Sequence, residues 1–229
     1  MTQLFSALDE SWHSTSAVEE WTFSWWSPDT AMAGWTMYRV FASNQIWYCF
    51  GMVRSDKPLL HVAEFDISRR PDPMIAKAES LWAEFVCDAP FEQWTLGNET
   101  YAVELDDPDE GLGRAYGRAV PIASDLEWYA NGPVSEIELG YQQSGLVLGI
   151  VETDDGPLEF SEIAAHRTHR WSTEISTLLK PVTNTSNSVE RLVPGEFDQR
   201  LAFRFPDHSV WDGVVTSDGW HLRTSDDGV

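Results

Sequence analysis

A short basic and aromatic cluster at residues 166–171 offers the clearest candidates for chemistry in this chain. Its sequence is HRTHRW, and it stands out because lysine and arginine together number 15 against 37 acidic residues. His169 could donate or relay a proton, since histidine titrates near neutral pH. His166 and His169 also suggest a metal ion, but residues three apart on a strand point to opposite faces, and no third ligand is suitably spaced. We therefore predict no metal site.

Two carboxylates at strand positions are further catalytic candidates. Glu84 follows Trp82 by two residues on one face of a predicted strand, and Glu138 shares a face with Glu136. A carboxyl group held among aromatic rings resists ionisation and could serve as a general acid. The alternative for both is an ordinary exposed carboxylate. A carboxylate pair in a tryptophan-rich β fold is also typical of glycoside hydrolysis.

The aromatic content indicates where a ligand would bind. The chain has 12 tryptophans, spread over most of the predicted strands. Several of them facing one cavity would form flat apolar walls for a polycyclic or polyene ligand, and would stabilise developing positive charge. Filling of the hydrophobic core is the alternative. The predicted substrate-binding residues are Trp25, Trp35, Trp47, Trp82, Trp94, Tyr141, Gln143 and Trp171.

The elements that position these residues are predicted to be short β-strands. Residues 136–171 indicate two strands joined by a turn at 154–157, where the sequence DDGP supplies the residues that tight turns require. About a dozen short strands, without βαβ alternation, predict an all-β barrel or sandwich. A break at 131–133 predicts an N-terminal β domain at 1–133 and a C-terminal β domain at 134–229. The polar tract 183–188 is predicted to be a loop or linker.

Composition and charge exclude several classes of function. Hydrophobic residues make up 42% of the chain, which is enough for a globular core. The net charge of −22 repels phosphate backbones and anionic lipids, so we expect neither nucleic-acid nor membrane-surface binding. No apolar run predicts a membrane span and no signal peptide is recognisable, which favours a cytoplasmic location. The two cysteines, Cys49 and Cys87, predict no disulfide framework.

Familiar cofactor and nucleophile motifs are missing from the sequence. It contains no glycine-rich phosphate loop, no Gly-x-Ser-x-Gly elbow and no Cys-x-x-Cys pair. We therefore expect no cofactor, and the partner suggested by the tryptophans is a hydrophobic small molecule. No pattern in the chain indicates an oligomeric state.

Two segments carry a resemblance to a known superfamily. Residues 140–149, GYQQSGLVLG, are similar to a pattern of an aromatic and glutamine strand followed by a glycine-rich strand, and residues 166–171 are similar to a His-Arg-Asp-His-Ser-Trp-Gly segment. The chain thus resembles the lipocalin-like superfamily of bacterial carotenoid 1,2-hydratases, AttH-type proteins and Diels–Alderases. It departs from that segment at Thr168, Arg170 and Ser172, which replace Asp, Ser and Gly. The resemblance implies a lipocalin-like antiparallel β-barrel architecture, one large barrel or two small barrels packed together, with the C-terminal barrel trimmed because the chain is short.

The leading hypothesis is a cofactor-independent cyclase, hydratase or isomerase, pericyclases included. Its substrate would be an apolar, isoprenoid- or polyketide-like molecule in a tryptophan-lined cavity, which would orient the reacting groups. Glu84, Glu138 or His169 would donate or relay a proton, while Tyr141 and Gln143 would orient polar groups. A non-catalytic carrier of hydrophobic ligands and a glycan-active β protein are the alternatives.

Overall fold

The structure is a computed structural model that describes residues 5–175 and 199–223. Within these ranges the chain forms fourteen strands and three short 3-10 helices. The helices are Ala7–Glu10, Pro28–Thr30 and Pro108–Leu112. The strands are β1 (Val18–Ser27), β2 (Met32–Phe41), β3 (Gln45–Arg54), β4 (Leu59–Ser68), β5 (Ile75–Lys77), β6 (Leu81–Ala89), β7 (Gln93–Leu105), β8 (Arg118–Ala130), β9 (Ser135–Ile137), β10 (Gly140–Thr153), β11 (Gly156–Ser172), β12 (Gln199–Arg204), β13 (Val210–Thr216) and β14 (Gly219–Leu222).

Eleven of these strands form one antiparallel sheet that closes on itself. The order is β4-β3-β2-β1-β11-β10-β8-β7, and β4 pairs with β7 to complete the ring. Closure uses the first residues of β4, Leu59 to His61, against the last residues of β7. The earlier part of β7 pairs with β6, which in turn carries β5. The predicted all-β, lipocalin-like barrel is therefore confirmed.

The longest hairpin of the barrel is the one that the sequence predicts at residues 136–171. β10 and β11 pair over most of their length and are joined by a turn at Asp154 and Asp155. The predicted division at residue 133 falls between β8 and β9, both of which belong to this sheet. β12, β13 and β14 form a separate three-stranded sheet, and the predicted loop at 183–188 lies outside the described residues.

The inside of the barrel is filled by aromatic and aliphatic side chains. Trp21, Phe23 and Trp25 alternate along β1 and all point inward, as the period of two predicts. Their rings pack against residues from the opposite wall, such as Phe85 and Trp128, with Phe23 5.5 Å and 6.2 Å from these two rings. The tryptophans of this interior are therefore core residues.

A second hydrophobic core lies between the outside of the barrel and the three-stranded sheet. β3 is apolar on both faces, as its sequence predicts, because Tyr48 and Phe50 point inward while Trp47 and Cys49 point outward. The small sheet covers this outer face with Leu201, Phe203, Phe205, Trp211, Val215 and Trp220. Among the described residues, no helix is long and apolar enough to cross a membrane.

Candidate functional site

A cavity of about 40 Å³ lies between the barrel and the three-stranded sheet, and we call it the interface pocket. One side is the outer face of β1, β2 and β11, and the other is the three-stranded sheet. Its aromatic wall consists of Trp35, Met37, Phe205, Trp211, Trp220 and Leu222. Its polar wall consists of Glu20, Thr22, Ser24, Arg39, His166, Thr168 and Arg170.

The polar wall is centred on a buried carboxylate between two guanidinium groups. Glu20 accepts a hydrogen bond of 2.8 Å from Nε of Arg39 and further bonds from the terminal nitrogens of Arg39 and Arg170. Burial alone would raise the pKa of Glu20, but the charges of Arg170 and Arg39 outweigh it and lower that pKa to about 2. Glu20 is therefore ionised at neutral pH and fixes the orientation of both guanidinium groups.

One donor of this cluster has no partner within the described residues. Nη1 of Arg39 is buried and makes no hydrogen bond there. The guanidinium group also lies over two rings, 5.2 Å from the centre of Trp47 and 5.1 Å from that of Phe205. Because a buried donor without an acceptor costs about 1–3 kcal/mol, an acceptor oxygen brought by a ligand would be stabilised here.

The remaining polar side chains come from alternate positions on β1 and β11. The hydroxyl oxygens of Thr22 and Thr168 are 2.6 Å apart, and the hydroxyl of Ser24 donates to the carbonyl oxygen of His166. Burial lowers the pKa of His166 to about 4, with a smaller contribution from the positive charge of Arg167. Its imidazole is therefore neutral at pH 7, and one of its ring nitrogens can accept a hydrogen bond.

The aromatic wall presents flat surfaces to these polar groups. Trp35 stacks on Trp211 with their ring centres 4.3 Å apart, and Trp220 lies 5.4 Å from Trp211. Nε1 of Trp220 donates to the carbonyl oxygen of Gly34 at 3.0 Å, which ties the small sheet to the barrel. The pocket thus combines apolar side chains from the barrel and from the small sheet with hydrogen-bonding groups on the barrel side, as small-molecule sites commonly do.

Four of the predicted site residues meet at the end of the barrel instead, namely Tyr141, Gln143, His169 and Trp171. Nδ1 of His169 is 3.0 Å from the hydroxyl of Tyr141, and Gln143 accepts from Nη2 of Arg167 at 2.8 Å. Arg167 also forms two hydrogen bonds with Glu10, at 2.8 Å and 2.6 Å. Burial lowers the pKa of His169, so its imidazole is neutral at pH 7. Tyr141, Gln143 and His169 do not line the interface pocket.

The other predicted residues are distributed over several parts of the molecule. Of the predicted binding residues, Trp35 lines the interface pocket, Trp25 and Trp94 lie in the barrel core, and Trp47 lies in the second core. The ring of Trp171 stacks on His13 at the barrel end, with 4.4 Å between centres.

The two predicted carboxylates lie on the surface, apart from His169. Glu138 is exposed in the turn between β9 and β10. Glu84 is half-buried on the outer face of β6 and shares an open hollow of about 390 Å³ with Trp82, which is 36% exposed. We call this the outer groove. The structure therefore does not bring the three predicted catalytic residues into one site.

Sequence reasoning missed the polar wall of the interface pocket, although a signal for it exists. Glu20, Thr22 and Ser24 alternate with the inward-facing rings of β1, so this strand has one aromatic and one polar face. Arg39 is likewise a lone charge within the apolar strand MAGWTMYRVF. The alternation on β1 alone also fits a solvent-exposed face, so the signal in the sequence is Arg39, because a charged residue within an otherwise apolar strand indicates a buried polar site.

Comparison with known proteins supports the fold. No protein-family model matches the chain, and no curated protein matches it either. The structure is similar to that of a candidate AttH protein from Nitrosomonas europaea, with a TM-score of 0.52 at 14% identity over 98% of this chain and 73% of that one. A structure of CghA with Sch210972 gives a TM-score of 0.38 at 12% identity over 70% of this chain and 47% of that one, which is too low to support an argument. The first likeness agrees with a lipocalin-like barrel, and at this identity it extends to the fold alone.

Proposed function

We propose that the protein is an enzyme that cyclises, hydrates or isomerises an apolar small molecule in the interface pocket, without a cofactor. The observation that supports this most directly is the buried Nη1 of Arg39, which lacks an acceptor among the described residues. Arg39 lines the same pocket as the stacked pair of Trp35 and Trp211. A substrate with an apolar body and one carbonyl or hydroxyl oxygen would match both walls.

In this proposal the residues have separate roles. Arg39 donates a hydrogen bond to the substrate oxygen and stabilises the negative charge that develops on it in the transition state. Glu20 acts as a positioning residue, because it holds the guanidinium group of Arg39. Trp35 and Trp211 orient the apolar body, and the neutral imidazole of His166 accepts a hydrogen bond from a polar group of the substrate.

The size of the interface pocket sets a requirement for catalysis. A volume of about 40 Å³ accommodates roughly three water molecules, which is far less than a polycyclic or polyene substrate needs. Such a substrate therefore requires the three-stranded sheet to move away from β1 and β2. The hydrogen bond from Trp220 to Gly34 would have to lengthen or break in that movement.

The test is a turnover assay on a panel of polyenes, sterols, terpenoids and polyketide-like compounds. Binding is detected by quenching of tryptophan fluorescence, and each bound compound is then analysed by mass spectrometry after incubation. A product of altered mass or retention supports the enzyme. A compound that binds and is recovered unchanged identifies a carrier, and a panel without any binder contradicts the proposal.

The outer groove supports a second candidate function, the binding or hydrolysis of glycans. Trp82 is exposed enough to stack on a sugar ring, Glu84 lies in the same hollow, and the hollow is open as oligosaccharides require. Binding of oligosaccharides that is lost in Trp82→Ala and kept in Trp211→Leu would favour this candidate over the first.

A further inference from the structure

Three potential metal ligands from different parts of the chain meet at the end of the barrel. His13 precedes β1, Glu19 lies in β1 and His169 lies in β11. Oε1 of Glu19 is 2.8 Å from Nδ1 of His13 and 2.6 Å from Nε2 of His169, and the three atoms all lie within 4.8 Å of one another. We call these residues the His-Glu-His cluster. His166 lies three residues before His169 and therefore points to the other face of β11, toward the interface pocket.

The donor set of this cluster is one that proteins use for transition metals. Two imidazole nitrogens and one carboxylate oxygen bind catalytic zinc and non-haem iron, with further positions left open. Bonds of about 2.0–2.1 Å in tetrahedral geometry would place the donor atoms about 3.3–3.4 Å apart. Oε1 of Glu19 is about 0.5–0.8 Å closer to each nitrogen than this arrangement requires, and the two nitrogens are at most about 1.5 Å too far apart, so side-chain movements of this size are sufficient.

The second nitrogen of each histidine already has a partner of the kind that metal-binding histidines have. Nε2 of His13 is 3.3 Å from Oδ1 of Asp9, and Nδ1 of His169 is 3.0 Å from the hydroxyl of Tyr141. That hydroxyl is also 3.3 Å from the carbonyl oxygen of Asp9. It can therefore accept a hydrogen bond from Nδ1–H of His169 and donate to the carbonyl. In that tautomer Nε2, which lies 2.6 Å from Oε1 of Glu19, carries no proton and can bind a metal ion together with that oxygen.

The surroundings hold the cluster in place and leave it accessible from one side. Glu19 and His169 are fully buried, whereas the side chain of His13 is 22% exposed. Trp21 stacks on His169 and Trp171 stacks on His13, each with 4.4 Å between ring centres. Both imidazole rings are thus fixed by packing, while an ion can approach from the side of His13.

We propose that His13, Glu19 and His169 bind one divalent transition-metal ion, such as zinc, with an open position directed toward solvent. The ion would fasten the segment before β1 to the barrel, since His13 belongs to that segment and the other two ligands belong to paired strands. This site is separate from the interface pocket and does not depend on the function proposed for it.

The test is a titration of chelator-treated full-length protein with Co²⁺, which reports its ligand geometry by visible absorption. We expect one Co²⁺ per chain, with absorption typical of four- or five-coordination, and displacement by one equivalent of Zn²⁺. His13→Ala, at a partly exposed position, and Glu19→Gln, which keeps the shape of the side chain, should each weaken binding at least about 100-fold.

His221→Ala is the matched control, because His221 also lies beside a carboxylate, at 3.2 Å from Asp218, but in the three-stranded sheet. It should bind Co²⁺ as the unsubstituted protein does. Absence of stoichiometric binding would overturn the proposal and leave the cluster as a set of hydrogen bonds. Unchanged affinity in His13→Ala and Glu19→Gln would also overturn it, since the ion would then bind elsewhere.

Discussion

The ion pair between Glu10 and Arg167 should be among the most important single interactions for the stability of the barrel. The two side chains are each 1% exposed and form two hydrogen bonds, at 2.8 Å and 2.6 Å. Glu10 also accepts from Nε1 of Trp94 and from the backbone N–H of Phe91, both at 3.1 Å. The guanidinium group lies 4.8 Å from the ring centre of Trp128, so little water can reach it.

We expect Glu10→Gln to lower the free energy of unfolding by about 3–5 kcal/mol. This change preserves the shape of the side chain and removes its charge, which leaves the charge of Arg167 buried without a counter-ion. The guanidinium group cannot lose its proton to escape this cost. Replacing Arg167 as well, in Glu10→Gln/Arg167→Met, should recover part of the loss and give a coupling energy of at least about 1 kcal/mol.

The free energy of unfolding is measured by urea denaturation, with tryptophan fluorescence as the signal. The assay is applied to Glu10→Gln, to Arg167→Met and to the double variant. Arg118→Ala is the control, because its ion pair with Glu104 is on the surface and its side chain is 62% exposed. The control should leave the denaturation midpoint unchanged within error. A loss below about 1 kcal/mol in Glu10→Gln, or strict additivity in the double variant, would refute this reasoning.

Two further predictions concern pH and packing. Burial of His61 lowers its pKa from 6.5 to about 4. Below pH 6.5 the unfolded chain therefore binds a proton that the native state does not. The free energy of unfolding falls by about 3 kcal/mol as pH drops from 6.5 to 4. His61→Phe, which keeps the stacking on Phe203, should remove this contribution and reduce the difference between the denaturation midpoints at pH 7 and 4.5. An unchanged difference would contradict the assignment. Gly145→Ala should lower the free energy of unfolding by about 1–3 kcal/mol, because the added Cβ would lie 2.2 Å from the ring of Trp128. Gly132→Ala, whose Cβ would be 3.7 Å from the nearest atom, should have little effect in the same assay.

The alternation of side chains was accessible from the sequence, and much of the fold follows from it. The period of two places Trp21 and Trp25 on one face of β1, and the apolar residues on both sides of β3 predict a strand that is covered twice. The turn at 154–157 likewise follows from its residue types. These features are local, and local patterns determine strands more directly than they determine which strands pair.

The composition of each site was not accessible, because it depends on contacts between distant segments. The segment 166–171 is one cluster in the sequence, but alternation places His166 and Arg170 at the interface pocket and Arg167 and His169 at the barrel end. Their carboxylate partners, such as Glu10, are more than a hundred residues away in sequence. Closure of the ring and docking of the small sheet bring these groups together, and the residue pattern within one strand does not predict which distant segments meet.

The measurement that tests the central claim most directly is ligand affinity in variants from the two walls of the interface pocket. Trp211→Leu changes the aromatic wall and Arg39→Met changes the polar wall, while Trp82→Leu alters a tryptophan of the outer groove. Each variant is first checked for native secondary structure by circular dichroism and then titrated with the best ligand of the panel. We expect at least a tenfold loss of affinity in Trp211→Leu and Arg39→Met and none in Trp82→Leu. Unchanged affinity in the first two variants would contradict the assignment of the interface pocket as the ligand site.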